Sequence, residues 1–167
     1  MSRIESNLQA VRQRIEQACR TSARPVAGVQ LLAVSKTFGA EAVLQAIAAG
    51  QRAFGENYVQ EGVDKLQAVV QALGPAARSS LQWHLIGPIQ SNKTRPIAEH
   101  FDWVHTIDRL KVAERLSAQR PAQLPALQVC VQVNVSGEAS KSGVAPADTL
   151  ALAQAVARLP RLALRGV

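Results

Sequence analysis

The chain has 167 residues, of which 47% are apolar, so it can form one domain with a hydrophobic core. No apolar run reaches the roughly 20 residues that cross a bilayer, and the polar N-terminus lacks a signal core, so we expect a cytoplasmic protein without a membrane partner. The net charge is +7, but the fourteen arginines are scattered, without a basic block or interleaved aromatic residues, so no nucleic-acid partner is expected.

Helix and strand patterns alternate along the whole chain. Apolar residues spaced by three and four predict a helix over 4–21, and the apolar run 29–34 predicts the first strand. Further strands are expected at 53–55, 83–86, 103–107, 127–135 and from 162 onward. Helices are expected over 40–49, 59–73, 91–100, 108–119 and 146–159, with Asp108 capping the fifth helix.

Strict alternation of this kind predicts parallel strands joined by helical crossovers, as in a doubly wound sheet or a (β/α)₈ barrel. No linker interrupts it, so residues 1–167 are interpreted as a single domain. A closed barrel needs eight strands, and six are predicted. We therefore expect a domain incomplete at its C-terminal end, with bare strand edges that hinder independent folding.

In such folds, ligands bind at the carboxyl ends of the strands, and Lys36 is the only cation directly after a strand. An amine in a partly enclosed pocket is the nucleophile that condenses with aldehydes, so the position suggests a Schiff base. The alternative is a lysine whose alkyl chain extends to solvent.

Other polar residues have two interpretations each. Asn57 either orients a ligand or caps the following helix, and Ser91 is either a helix cap or an anion site. The loop Gly137–Gly143 carries Lys141 and either contacts an anion or is solvated; it lacks the residue order of a phosphate-binding P-loop. His84, His105, Cys19 and Cys130 show no metal-ligand spacing and are expected to be interior side chains.

Five motifs in order, LLAVSK, FGENYVQEGVDK, WHLIGPIQSNK, FDWVHTIDRL and VNVSGEASKSGV, resemble the pyridoxal phosphate homeostasis family. The resemblance covers the chain from the first helix to Val167. It implies an α/β fold similar to the alanine racemase N-terminal domain, a (β/α)₈ TIM barrel, truncated here after the sixth strand.

The resemblance also implies a cofactor, pyridoxal 5′-phosphate, bound as a Schiff base on Lys36. Asn57 would lie beside the cofactor, and Lys141 would affect its binding or exchange. Family chains continue past LRGV with two more strands, whose loops supply phosphate ligands, so this chain is expected to hold the cofactor poorly.

The expected function is therefore a non-enzymatic carrier, monomeric when full length, that buffers or delivers pyridoxal phosphate and contacts its recipient enzymes transiently. One alternative is a pyridoxal-phosphate-dependent racemase or lyase, which needs an acid–base group such as Tyr58 or His105. Another is a cofactor-free aldolase that uses Lys36 alone.

Overall fold

A six-stranded parallel sheet forms the centre of the computed structural model, which describes residues 2–167. Each strand pairs in parallel with the next one along the chain, the order of the barrel that the family resemblance implies rather than of a doubly wound sheet. This strand order, with helical crossovers, is the wall of a (β/α) barrel. The strands are β1 Ala33–Val34, β2 Ala53–Glu56, β3 Gln82–Leu85, β4 Trp103–Ile107, β5 Leu127–Val131 and β6 Leu162–Gly166.

The helices pack side by side along the outside of this wall, mostly in chain order. They are α1 Arg3–Thr21, α2 Ala40–Ala48, α3 Val59–Leu73, α4 Ala77–Ser80, α5 Thr94–His100, α6 Leu110–Gln119 and α7 Thr149–Ala157. The short helix α4 is not predicted by the sequence pattern and follows the Gly74-Pro75 turn. Among residues 2–167, no helix is long and apolar enough to cross a membrane.

The hydrophobic core lies between the sheet and the helices. Side chains alternate across a strand, so one set of strand residues faces the helices. Phe54 and Trp83 are register partners in this set, and their rings stack with centroids 5.6 Å apart. The same core contains Leu85 and Val104 from the sheet and Val63, Leu66, Ile97 and Leu116 from the helices.

The opposite sheet face corresponds to the barrel interior. One register row crosses it from strand to strand, in the order Val34, Gly55, His84, Trp103 and Gln128. Val34 at the β1 end is 49% exposed, since β1 has a strand neighbour on only one side in the described chain. The row is therefore exposed at its β1 end, buried at Gly55 and His84 and half-buried at Trp103 and Gln128, in contrast to the closed apolar layer beneath the helices.

Two predicted strands are too long. Residues 29–34 pair only over Ala33–Val34. The reason is that the Leu31 carbonyl accepts a hydrogen bond from the Gln51 side-chain amide at 2.7 Å instead of from a neighbouring strand. Residues 127–135 leave the sheet after Val131, because the chain then pairs with its own returning loop. In that loop Val144 N–H donates to the Gln132 carbonyl.

Two predicted caps are wrong. Helix α6 begins at Leu110 with Arg109 at the N-cap, and the Asp108 carboxylate instead pairs with the Arg109 guanidinium at 3.2 Å. Ser91 opens a 3₁₀ turn rather than capping a helix with its side chain, and its carbonyl accepts from Thr94 and Arg115. Polar residues near a helix start thus form local contacts that a cap motif alone does not reveal.

Arginine has a structural role throughout the fold. Eight of the fourteen arginines donate to backbone carbonyl oxygens: Arg12, Arg24, Arg52, Arg78, Arg109, Arg115, Arg120 and Arg161. Several of these carbonyls lie at helix C-termini, where the last C=O groups have no partner within the helix. Arg120 is the most buried example and bonds the carbonyls of Ala98, Phe101 and Pro125.

Gly87 is required where the loop after β3 passes the end of β2. A Cβ at this position would lie 2.0 Å from the Asn57 carbonyl oxygen, which is a backbone atom and cannot swing away. We expect Gly87→Ala to lower the free energy of unfolding by at least about 2 kcal/mol, measured by urea denaturation. Gly39→Ala is the matched control, because its Cβ would meet nothing within 4 Å. Equal stability of the two variants would contradict the close approach.

Candidate functional site

Lys36 lies at the carboxyl end of β1, as predicted: β1 ends at Val34, and Ser35 and Lys36 follow. Its ammonium group makes no hydrogen bond or ion pair with any residue in 2–167, so it is available to a ligand. The expected partly enclosed pocket is wrong for the described chain, because the Lys36 side chain is exposed. The adjoining inner sheet face is open at β1, which leaves the lysine without a wall on that side.

Asn57 is brought to the same level as Lys36 on the neighbouring strand. Val34 pairs with Gly55, and Lys36 and Asn57 each follow two residues later. Asn57 is half-buried, and its side-chain amide has no hydrogen-bond partner among residues 2–167. Helix α3 has Tyr58 at its N-cap and no side-chain cap, so the capping interpretation of Asn57 is wrong.

A buried ion pair lies directly beneath these two residues. Lys65 on α3 donates to Glu56 Oε1 at 2.7 Å, and the two side chains are 4% and 0% exposed. The same ammonium group donates to the Ser35 carbonyl at 2.8 Å, and Ser35 Oγ donates to Glu56 Oε1 at 2.5 Å. The residue before Lys36 is therefore bound through both its backbone and its side chain.

The residue after Lys36 is held by the same network. Lys65 also donates to Glu61 Oε1 at 3.0 Å, and that carboxylate oxygen accepts from the Thr37 backbone N–H at 2.7 Å. Burial opposes ionisation of Glu61, but the hydrogen bonds from Lys65 and Thr37 outweigh it and lower the pKa of the Glu61 carboxyl. Thr37 has φ 66°, a left-handed conformation that is unusual for a β-branched residue.

The sequence interpretation missed Lys65 and Glu61. Lys65 lies within the predicted helix 59–73, where a lysine is normally a surface residue, and Glu56 directly follows the predicted strand 53–55. The available signal was the spacing of four between Glu61 and Lys65, which places both on one helix face. That spacing does not reveal that Glu56 joins them from the strand.

His84 and His105 form a second polar group on the inner sheet face, as predicted for interior residues. Their rings are joined by a 2.9 Å contact between His84 Nδ1 and His105 Nε2, and His84 stacks on Trp103 with centroids 5.3 Å apart. Burial, together with the charge of His105, lowers the pKa of His84 to about 4. Burial also lowers the pKa of His105.

Both cysteines are free thiols. Cys19 is buried as expected, and Cys130 is half-buried on β5, where burial raises the pKa of its thiol. In the described part of the chain, no group of three or more metal-binding side chains comes together.

Lys141 lies on the exposed loop between β5 and α7. The Lys141 backbone N–H donates to the Glu138 carbonyl at 3.0 Å, and Asn134 Nδ2 donates to the Lys141 carbonyl at 3.3 Å. Three strands separate β5 from β1 in the sheet, and no hydrogen bond links Lys141 to Lys36. The structure therefore places Lys36 and Asn57 at the same level after neighbouring strands, and Lys141 on the loop after β5.

Comparison with known proteins identifies the fold. Residues 6–167 match the family described as alanine racemase, N-terminal domain. A structure from Bifidobacterium adolescentis is 32% identical with a TM-score of 0.87, over 98% of this chain and 68% of that one. PipY of Synechococcus elongatus, solved with PLP bound, is 38% identical with a TM-score of 0.74, over 92% of this chain and 68% of its own.

Curated relatives match along the entire chain. The pyridoxal phosphate homeostasis proteins of Pseudomonas aeruginosa and Escherichia coli K12 are 61% and 56% identical over all 167 residues, which span 70% of each relative. The fold is thus that of the alanine racemase N-terminal domain, with six parallel strands described. Within this class, the chain belongs to the pyridoxal phosphate homeostasis family.

The Glu56–Lys65 pair should dominate local stability. Lys65→Met leaves the Glu56 carboxylate buried without its partner cation, and we expect a loss of about 3–5 kcal/mol in unfolding free energy. Glu16→Gln, which breaks the exposed Arg20–Glu16 pair, should cost less than about 1 kcal/mol. Urea denaturation of both variants at pH 7 measures the difference, and a small loss for Lys65→Met would contradict the burial of the pair.

The histidine pair predicts acid sensitivity. The unfolded chain binds a proton at His84 near pH 6.5, while the folded chain resists protonation until about pH 4. The contribution of neutral His84 to the free energy of unfolding is therefore fully present above pH 6.5 and is lost as the pH falls toward 4. His105 contributes in the same direction. Urea midpoints between pH 7 and 4.5 should fall more steeply for the wild type than for His84→Gln. Parallel profiles would contradict the shift.

Proposed function

We propose that the chain binds pyridoxal 5′-phosphate through a Schiff base on Lys36 and buffers or delivers this cofactor. The observation that carries the proposal is an unpaired amine at the carboxyl end of a parallel strand, with both neighbouring residues bound to a buried ion network. The PLP-bound PipY structure and the names of the relatives support the identity of the ligand.

The residues present fit the aldehyde end of this cofactor. When bound, pyridoxal phosphate supplies an aldehyde that condenses with an amine and releases water. Lys36 supplies that amine, and the half-buried Asn57 amide at the same strand level supplies hydrogen-bonding groups beside it. The inner-face row behind them, with His84 stacked on Trp103, supplies a polar and aromatic surface. We propose Asn57 as a cofactor contact and Lys141 as a residue that affects exchange.

Binding without turnover fits the site better than catalysis does. An amino-acid racemase or lyase needs an acid–base group facing the reacting carbon. Tyr58 is 63% exposed and makes no hydrogen bond to Lys36, and His105 is directed toward His84. The enzyme alternative is supported only by fold, through likeness to a histidine racemase of 16% identity and TM-score 0.64. A cofactor-free aldolase has no support beyond Lys36 itself.

Delivery would require brief contact with enzymes that use the cofactor, and a monomer suits such contacts because it leaves the carboxyl face of the strands uncovered. A native mass spectrum gives the oligomeric state directly.

Incubation of the loaded protein with amino acids tests the enzyme alternative. Racemised or cleaved product above the rate of free pyridoxal phosphate would establish turnover and contradict the carrier proposal.

Lys36 should be the attachment point. Lys36→Ala is expected to abolish the visible absorption band that forms with added pyridoxal phosphate while leaving the thermal transition within about 3 °C, because the side chain is exposed and contributes little to the core. Lys111→Ala is the matched exposed-lysine control and should retain the band. A band of equal strength in Lys36→Ala would show that another lysine binds the cofactor.

A further inference from the structure

We propose that Glu61 is a positioning residue for Lys36: with the buried Glu56–Lys65 pair, it fixes the two residues that flank this lysine and so orients its amine toward an aldehyde ligand. The inference rests on the function proposed above and assigns a role to residues that do not contact the ligand themselves. The supporting observation is that one ion network binds the residues on both sides of Lys36.

Every hydrogen bond that the side chains of the network make outside it falls next to Lys36. Lys65 binds the Ser35 carbonyl, Glu56 accepts from the Ser35 hydroxyl, and Glu61 accepts from the Thr37 N–H. None of the three reaches Lys36, whose side chain remains exposed. The network therefore restricts the backbone of Lys36 without restricting the chemistry of its amine.

Thr37 is the part of this turn that most needs an external restraint. Its φ of 66° is rarely adopted by β-branched residues, and its N–H bonds the Glu61 carboxylate at 2.7 Å. Without Glu61 the N–H loses this partner, and nothing then opposes relaxation of the turn to a negative φ. Such a rotation loosens the turn that follows Lys36 and widens the range of positions that its side chain occupies.

The same network explains why Lys65 does not compete with Lys36 for an aldehyde. An ammonium group has three N–H donors, and those of Lys65 meet Ser35 O, Glu56 Oε1 and Glu61 Oε1 within 3.0 Å. Condensation at Lys65 would break all three contacts. The structure thus separates a structural lysine from a reactive one by hydrogen bonding.

The test is ratiometric labelling with pyridoxal 5′-phosphate followed by borohydride, with peptide mass spectrometry of Lys36 and of the exposed Lys111. We expect Glu61→Ala to lower the Lys36-to-Lys111 labelling ratio at least fivefold. Glu61→Gln should retain at least half of the wild-type ratio, because its amide oxygen still accepts from Thr37. The control Glu41→Ala removes a nearby exposed carboxylate of α2 and should stay within twofold.

Each outcome bears on one claim. Absence of Lys36 labelling in the wild type would overturn the proposed function itself. Wild-type labelling with an unchanged ratio in Glu61→Ala, or an equal loss in Glu61→Gln, would overturn the positioning role alone. A purely structural role would change the melting temperature without changing the ratio. Where Glu61→Ala does not fold, Glu61→Met, which is close to isosteric but has no oxygen to accept from Thr37, replaces it, and an unchanged ratio in that variant would overturn the positioning role.

Discussion

The ion pair between Glu56 on β2 and Lys65 on α3 is the interaction on which this site depends. It is almost fully enclosed, so removing either partner would leave an uncompensated charge in the core. Through Ser35 it also fixes the end of β1, a strand of two residues that has a single strand neighbour within residues 2–167. The shortest strand in the sheet is thus held at its functional end by side chains rather than by a long ladder.

The element order was predictable from the sequence because it depends on local periodicity. The apolar stripe of α3 and the buried run of β3 are patterns that a few neighbouring residues determine, and both elements lie close to their expected bounds. The parallel arrangement and the position of Lys36 at a strand end followed from this alternation. Family membership was predictable from motifs and is confirmed by relatives up to 61% identical.

The predictions that failed concern features that depend on residues distant in the sequence. The length of β1 is set by Gln51, whose side-chain amide donates to the Leu31 carbonyl in place of a strand N–H. No pattern within 29–34 contains that information. The burial of Lys65 depends on Glu56, nine positions away on a different element. Exposure of Lys36 likewise reflects how few strands surround β1 in the described chain, which local spacing cannot show.

A crystal structure of the protein with pyridoxal 5′-phosphate tests the central claim most directly, namely that the Glu56–Lys65–Glu61 network presents Lys36 to this cofactor. The account predicts continuous density from Lys36 Nζ to the cofactor, the Asn57 amide beside it, and unchanged contacts from Lys65 to Ser35 and from Glu61 to Thr37. Cofactor joined to a different lysine, or joined to Lys36 with these contacts broken, would contradict it.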